Sequence, residues 1–500
     1  MLQIRSLVFF LASLSSGVFA AIGPIANLPI VNAVIAPDGF SRNSVLAAGT
    51  FPGPLISGIK GDNFQINVQD ELTDTTMDTA TSIHWHGLFQ HSTNYADGPS
   101  FVTQCPIIPG NSFLYNFQVP DQAGTFWYHS HFRDQYCDGL RGAMVIYDPL
   151  DPHLLLYDVD NDDTVITLAD WYHYVSTDAP LVPDPASGLI NGKGRYSGGT
   201  AVDLAVVNVV FGLRYRLRIV SISCDPSYTF SVDGHQLTII EVDGQNVQPL
   251  VVDNIQIFAA QRYSAVLHAN QPIGNYWIRS LPSEDGATTN GGINSAILRY
   301  LGALSVDPKS TSSLSLPLVE TNLHPGTPAP GEADINITLD VEFVVSQFQV
   351  NGVSFEPPSM PVLLQILSGT SSAASLLPAG SVYGLEPNKV VELVIPGGAA
   401  GGPHAFSVVR SAGNASYNFV NPVRRDVVSI GDTGDEVTIR WTTDNPGPWF
   451  LHCHIDWHLN LGLAAVFAED VPDVPSVDSV PSAWNELCPQ YNAFLNQTAS

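Results

Sequence analysis

The chain has 500 residues, 45% of them hydrophobic and only 13% charged, with a formal net charge of −28. That charge argues against nucleic acid and anionic membranes as partners, and its plain role is solvation. The length implies several domains of roughly 100–200 residues each.

Residues 1–20 read as a secretory signal. Arg5 is the basic flank, Leu7 to Leu14 the apolar stretch, and Val18-Phe19-Ala20 a small-residue cleavage site. The apolar run is too short for a membrane span, and no later run is long enough. A soluble, secreted, extracellular chain is therefore expected. Asn336-Ile337-Thr338, Asn414-Ala415-Ser416 and Asn496-Gln497-Thr498 are sequons that fit secretion.

Glycine (41) and proline (37) are dense, and long helical patterns are scarce. Short alternating runs recur at Phe64-Gln65-Ile66-Asn67-Val68, Tyr215-Arg216-Leu217-Arg218-Ile219 and Val437-Thr438-Ile439-Arg440-Trp441. They predict half-buried strands and an all-β sandwich or barrel pattern. A weak internal repeat runs through the chain. Gly124-Thr125-Phe126-Trp127-Tyr128-His129-Ser130-His131 and Gly447-Pro448-Trp449-Phe450-Leu451-His452-Cys453-His454 both read glycine, aromatics, then His-x-His. Gly274-Asn275-Tyr276-Trp277-Ile278-Arg279-Ser280 is a third copy without histidine. Three consecutive β-sandwich units follow, the outer two able to hold metal. Linkers are expected at Asp148 to Pro152 and in the Ser/Pro-rich stretch from Ser310 to Pro330. The expected boundaries are 1–20 for the signal, then 21–150, 151–318 and 319–500 for the domains.

The most informative segment is His452-Cys453-His454-Ile455-Asp456-Trp457-His458. Side chains alternate faces on an extended strand, so His452 and His454 would point one way and Cys453 the other. One short segment then faces two metal sites. A thiolate with imidazoles favours copper in a trigonal electron-transfer site. Three of the 14 histidines fall in this window, so chance flanking of a buried cysteine is the weaker reading.

His84-Trp85-His86-Gly87 and His129-Ser130-His131 are two further His-x-His runs. Two such strands in one sandwich aim four imidazoles at one point, and His452 and His454 add two. Six imidazoles and no carboxylate suggest a multinuclear copper cluster between the first and third domains. Cys453 and His458 would hold a single copper that takes electrons one at a time. The peptide from Cys453 to its flanking histidines is a short covalent route to a cluster that reduces O2 to water.

Five cysteines is an odd count. In an oxidising compartment four should pair, leaving Cys453 as the metal thiolate. Cys105, Cys137, Cys224 and Cys488 then form two bridges in one of three pairings.

The chain resembles the multicopper oxidases, and within them the laccases of filamentous fungi, over its whole mature length. The matching segments are His84 to Gln90, Ala96-Asp97-Gly98-Pro99, Gly124 to His131, Gln135 to Gly142, Asn421 to Asp426 and His452 to His458. The resemblance implies three consecutive cupredoxin-like Greek-key β-sandwich domains and four coppers. It implies one-electron oxidation of phenols or aromatic amines coupled to four-electron reduction of O2. By the same resemblance His84 is a type 2 ligand, and His86, His129, His131, His452 and His454 are type 3 ligands. Cys453 and His458 are type 1 ligands. Leu463 fills the axial position, where an apolar residue is expected to raise the copper potential relative to Met. Ile455 packs on the opposite side. The family pairs Cys105 with Cys488 and Cys137 with Cys224.

Two acids acquire roles from the resemblance. Asp225 matches the acid that binds the phenol hydroxyl beside type 1 copper and accepts its proton as the electron leaves through His458. Its plainer reading is a turn-capping aspartate beside a disulfide. Asp97 matches the acid that assists proton delivery near type 2 copper, although Asp-Gly is also a turn signal. Asp456 is expected to orient a ligand. His91, His153, His173, His235, His268 and His324 match no ligand motif and read as ordinary histidines. The implied partners are small phenols and O2, with no nucleic acid, no membrane and a monomeric chain. The rival readings are a ferroxidase and a catalytically silent copper-binding homologue.

One motif departs from the family. The third-domain run His-Pro-x-His-Leu-His-Gly-His supplies a ligand to each copper type. The matching stretch here, Gly401 to Arg410, is roughly seven residues shorter, about 23 Å of extended chain. It keeps only His404. As the first histidine of the motif His404 ligates type 1 copper; as the last it is no ligand. Either way type 2 copper keeps only His84, and one type 3 copper keeps His131 and His452. Reduced turnover is the expectation.

Overall fold

The computed structural model describes residues 21–282, 292–312, 315–397 and 406–498. Residues 1–20, expected as a secretory signal, and His404 lie outside the described residues. The architecture is mostly β, in three cupredoxin-like sandwiches.

The first sandwich packs two four-stranded sheets. One runs Arg42–Ala47, Ile25–Ile35, Asn63–Asp70, Ser112–Gln118; the other runs Gly53–Ile59, Arg141–Tyr147, Gly124–Ser130, Ile83–His86. Asn63–Asp70 and the next strand, Ile83–His86, lie in opposite sheets, which is a Greek-key crossing. Along Asn63–Asp70, Phe64, Ile66 and Val68 are buried and the residues between them half-buried, as the alternation predicts. The second sandwich packs a six-stranded against a five-stranded sheet. The third packs a five-stranded against a three-stranded sheet and carries a hairpin, Val341–Val344 with Gln347–Val350.

The repeat seen in the sequence is a repeat of topology. Gly124–Ser130, Asn275–Pro282 and Gly447–His452 each pair antiparallel with the next strand of their own sheet: Arg141–Tyr147, Ser295–Tyr300 and Ala464–Glu469. Each of those in turn pairs parallel with an earlier strand.

Two features differ from the sequence expectation. Arg216 and Arg218 belong to Arg214–Ser221, a strand read as half-exposed, yet both are buried. Their face of the sheet meets carboxylates and the first sandwich instead of water. Arg216 pairs with Glu241 and with Asp151 at 2.5 Å. Arg218 pairs with Asp160 at 2.7 Å and donates to Thr125 Oγ1 at 3.0 Å. Buried cations persist only with such partners. The second feature is a 17-residue C-terminal helix, Ser482–Thr498. Trp484, Leu487 and Tyr491 are buried at helical spacing. The Cys105–Cys488 disulfide ties this helix to the first sandwich, and Trp484 Nε1 donates to Thr103 O at 3.0 Å.

Both flanks of the shortened third-domain segment are seated in one sheet. Val390–Pro396 and Phe406–Arg410 pair antiparallel with opposite edges of Glu436–Thr442. Among the described residues no helix is long and apolar enough to cross a membrane.

Candidate metal centre

Strand register builds the first half of the centre. Ile83–His86 pairs antiparallel with Gly124–Ser130, setting His84 opposite His129 and Trp85 opposite Tyr128. With a period of two, Trp85 and Tyr128 share the core face, where both are fully buried. His84, His86 and His129 share the other face. One ring nitrogen from each of these three lies within 4.8 Å of the others. His131 follows just past the strand end, its ring 5.5 Å from that of His129.

The third sandwich supplies the second half. Gly447–His452 ends at His452, and the backbone bends through Cys453 and His454. The alternation of faces survives the bend. His452 Nε2 lies 3.2 Å from His131 Nε2, and His454 Nε2 lies 3.2 Å from His86 Nδ1. Cys453 turns the other way and meets His458 Nδ1 at 3.4 Å. All six cluster imidazoles are buried.

The outer nitrogens of these rings are held by protein oxygens. His84 Nδ1 donates to Asp97 O at 2.7 Å, His129 Nδ1 to Ser130 O at 2.7 Å, and His452 Nδ1 to Cys453 O at 2.8 Å. His86 Nε2 faces Asp426 Oδ1 at 3.5 Å. These contacts leave lone pairs on Nε2 of His84, His129 and His452 and on Nδ1 of His86, all aimed inward. His129 Nε2 is buried and has no hydrogen-bond partner among the described residues. An orphaned buried acceptor is costly; a metal ion would satisfy it. Two nitrogens 3.2 Å apart can share one ion through bonds of roughly 2.0 Å. The donor set therefore fits a first-row metal, and imidazole with thiolate nearby fits copper.

Electrostatics favour the neutral rings that a metal needs. Burial and neighbouring imidazoles push His129, His131 and His454 well below the ordinary histidine value. Burial brings His452 down to about 4. At His84 burial acts downward, but the Asp97 carboxylate and its hydrogen bonds outweigh it and hold the ring above its ordinary value.

The thiolate side opens to solvent. Cys453 is buried, whereas His458, on the short helix Asp456–Asn460, is half-buried. Burial lowers His458 to about 4. Leu463 O accepts the Cys453 N–H at 3.1 Å, and Leu463 and Ile455 join Cys453 in one apolar cluster. A cleft of about 770 Å³ reaches His458 and is also lined by Ile455, Phe258 and Asp225. Asp225 follows the Cys137–Cys224 bridge, and its N–H donates to Asp170 Oδ2 at 3.1 Å. Burial first, then the nearby Asp170 and Asp184, raise Asp225 to about 7. Cys453 stands outside both disulfides, Cys105–Cys488 and Cys137–Cys224.

The structure thus gathers His84, His86, His129, His131, His452 and His454 at one point and Cys453, His458, Ile455, Leu463 and Asp225 at another. Asp97 sits against His84. Asp456 lies 3.9 Å from Cys137 Sγ, against the disulfide. Sequence reasoning missed three residues. Trp127 stacks on His129 at 4.3 Å between ring centroids. Tyr136 Oη donates to His454 O at 3.2 Å. Asp426 faces His86 while holding Arg262 through two bonds of 2.5 and 2.6 Å. Trp127 lies two residues before His129 on the same strand and so on the same face, which made the period of two the available signal.

Comparison with known proteins places these features among relatives. Three models, each described as multicopper oxidase, match residues 30–151, 162–303 and 355–473. Laccase-2 of Pleurotus ostreatus is 59% identical, covering 96% of this chain and 94% of its own. A laccase of Phlebia radiata is 59% identical, covering 98% of each chain. The crystal structure of a laccase from Botrytis aclada aligns with a TM-score of 0.82 at 31% identity, covering 94% of this chain and 92% of that one.

Proposed function

The chain belongs to the multicopper oxidase family and is a laccase-type oxidase, and on that premise we propose which of its residues carry the reaction. Laccase-type enzymes couple one-electron oxidation of phenolic substrates to four-electron reduction of O2. Copper, when bound, supplies the electron acceptor beside the thiolate and the O2-reducing centre among the imidazoles.

Cys453 and His458 would hold type 1 copper, with Leu463 and Ile455 as its apolar flanks. His86, His129 and His454 would hold one type 3 copper as a complete imidazole set. His131 and His452 would hold the other, and His84 the type 2 copper. His404 would join type 1 copper if it is the first histidine of the shortened motif. Fewer than four tightly held coppers follow from that shortening. The observation that carries this reading is the pairing of His131 with His452 and of His86 with His454 across two domains.

The protein's own groups do the remaining work. Asp225 accepts the phenol O–H in the cleft beside His458, and with a pKa of about 7 it can take that proton as the electron leaves. Asp97 fixes the tautomer of His84 through its carbonyl and holds a carboxylate 3.4 Å from the same ring nitrogen. That carboxylate is placed to pass protons toward the cluster. The signal-like residues 1–20 support secretion.

Copper per chain and O2 uptake with 2,6-dimethoxyphenol test the assignment in the full-length protein. Copper-dependent O2 uptake with fewer than four coppers per chain is expected. Four tightly bound coppers would contradict the reading of the shortened motif. No phenol-dependent O2 uptake in copper-loaded protein would contradict the assignment as a whole.

A further inference from the structure

A second cavity, of about 420 Å³, lies in the third sandwich and shares no lining residue with the His458 cleft. Its walls are Trp441 from the five-stranded sheet, Trp449, Leu451 and Phe467 from the three-stranded sheet, and Phe89 from the first sandwich. Trp441 and Phe467 meet at 5.5 Å between ring centroids. Its size is that of a small-molecule site, and its aromatic walls are matched by polar groups in nearly equal share, His91 and Arg440 among them.

The polar groups are specific. Arg424 lines the cavity, and its side chain makes no hydrogen bond or ion pair among the described residues. Its Nε is buried without a partner. Other buried arginines are paired, as Arg141 is with Asp170, Arg262 with Asp426 and Arg425 with Asp243. In a chain of net charge −28 an unpaired, half-buried guanidinium stands out. Asn445, also on the wall, gives its amide N–H to Phe89 O at 2.7 Å, which leaves Oδ1 buried and without a partner among the described residues. Two acids share the rim. Glu469 accepts the Asn445 backbone N–H, and burial raises it to about 8, so it is neutral in weak acid. Asp444 is exposed and acts on Arg424 electrostatically, but makes no direct ion pair with it among the described residues, so the guanidinium's bonding face is left to a ligand.

We propose that this cavity binds a small aromatic carboxylate, with the carboxylate on Arg424 and the ring among Trp441, Trp449 and Phe467. A planar guanidinium is built for bidentate carboxylate recognition. A ring hydroxyl would also satisfy Asn445 Oδ1, so hydroxylated aromatic acids should bind more tightly than benzoate. Because Leu451 precedes His452 on the same strand, an occupant presses on the wall that carries a cluster histidine.

Benzoate tests this with the full-length protein, read by tryptophan fluorescence and by calorimetry. Saturable binding at about 1 mM or below is expected, in line with the efficiency of small ligands. Benzamide, the uncharged isostere, should bind at least tenfold more weakly. Arg424→Gln should lose benzoate binding by at least tenfold while its response to benzamide stays unchanged, and Arg424→Lys should retain part of it. Asp225→Asn, in the other cleft, should leave benzoate binding unaltered. No saturable signal in the wild-type chain would overturn the proposal. So would equal affinity for benzamide, or benzoate binding that survives Arg424→Gln and is lost in Asp225→Asn. The benzamide comparison is made on the wild-type chain, so it decides the matter even if Arg424→Gln fails to fold.

Discussion

His86 Nδ1 and His454 Nε2 face each other at 3.2 Å across the seam between the first and third sandwiches. They are 368 residues apart in the chain, so only the docking of two domains brings them together. The seam is held by the Cys105–Cys488 disulfide and by Asn94 Nδ2 donating to Pro448 O at 3.0 Å. The cluster is thus a product of domain packing, and its geometry is only as exact as that packing.

Removing one side of the pair should empty one site and spare the other. In His454→Ala, copper per chain falls by about one, and O2 uptake with a phenol falls by at least ~100-fold, since even partners outside the ligand set cost 10–100-fold. The blue absorption of the thiolate site persists. Elemental analysis, visible spectra and an oxygen electrode check these outcomes together.

Asp225 sets a pH dependence. Its value of about 7 means the base form is lost as pH falls below that point. For phenols, kcat/KM should therefore rise with pH up to about 7 and then level. Asp225→Asn should flatten this limb and lower kcat/KM by about 10²-fold. Ferrocyanide, a donor with no proton to lose, should be oxidised at an unchanged rate by the variant.

Asp426 joins all three sandwiches, holding Arg262 of the second and facing His86 of the first. Asp426→Asn removes the bidentate carboxylate of the fully buried Arg262 and leaves it only Asp243 at 3.8 Å, an expected loss of up to about 3–5 kcal/mol. The double variant Asp426→Leu with Arg262→Met should recover most of that stability. It should not recover copper affinity, because His86 still lacks its oxygen partner. Denaturant midpoints and copper titration separate the two effects.

Buried carboxylic acids make the fold acid-tolerant. Burial raises Asp70 and Glu469 to about 8 and Asp478 to about 7. Between an unfolded value near 4 and these folded values, the native state binds more protons than the unfolded state. Stability therefore falls as pH rises through that window, by about 1.4 kcal/mol per pH unit for each such group. Calorimetric scans should show a higher Tm at pH 5 than at pH 8. A maximum at pH 8 would contradict these assignments.

Much of this was legible in the sequence because β periodicity is local. His-x-His on a strand puts both rings on one face, and His-Cys-His divides thiolate from imidazoles, whatever the rest of the fold does. The glycine-aromatic repeat marked the strand that bears the histidines in two of the three sandwiches. Where the reading failed, the cause was long-range packing. Arg216 and Arg218 look like a solvent face until the first sandwich and Asp160 cover them. Tyr136 gains its position against His454 only once the domains dock. The C-terminal helix was readable from the spacing of Trp484, Leu487 and Tyr491, but its single long period was masked by the β-rich remainder.

Copper per chain and visible absorption of Cys453→Ser, measured on one sample beside the wild type, test the division of the two sites most directly. Loss of the blue band with the imidazole-bound copper retained is the predicted result. A blue band that survives, or imidazole copper that disappears together with it, would contradict a thiolate and a histidine cluster serving separate ions from one short segment.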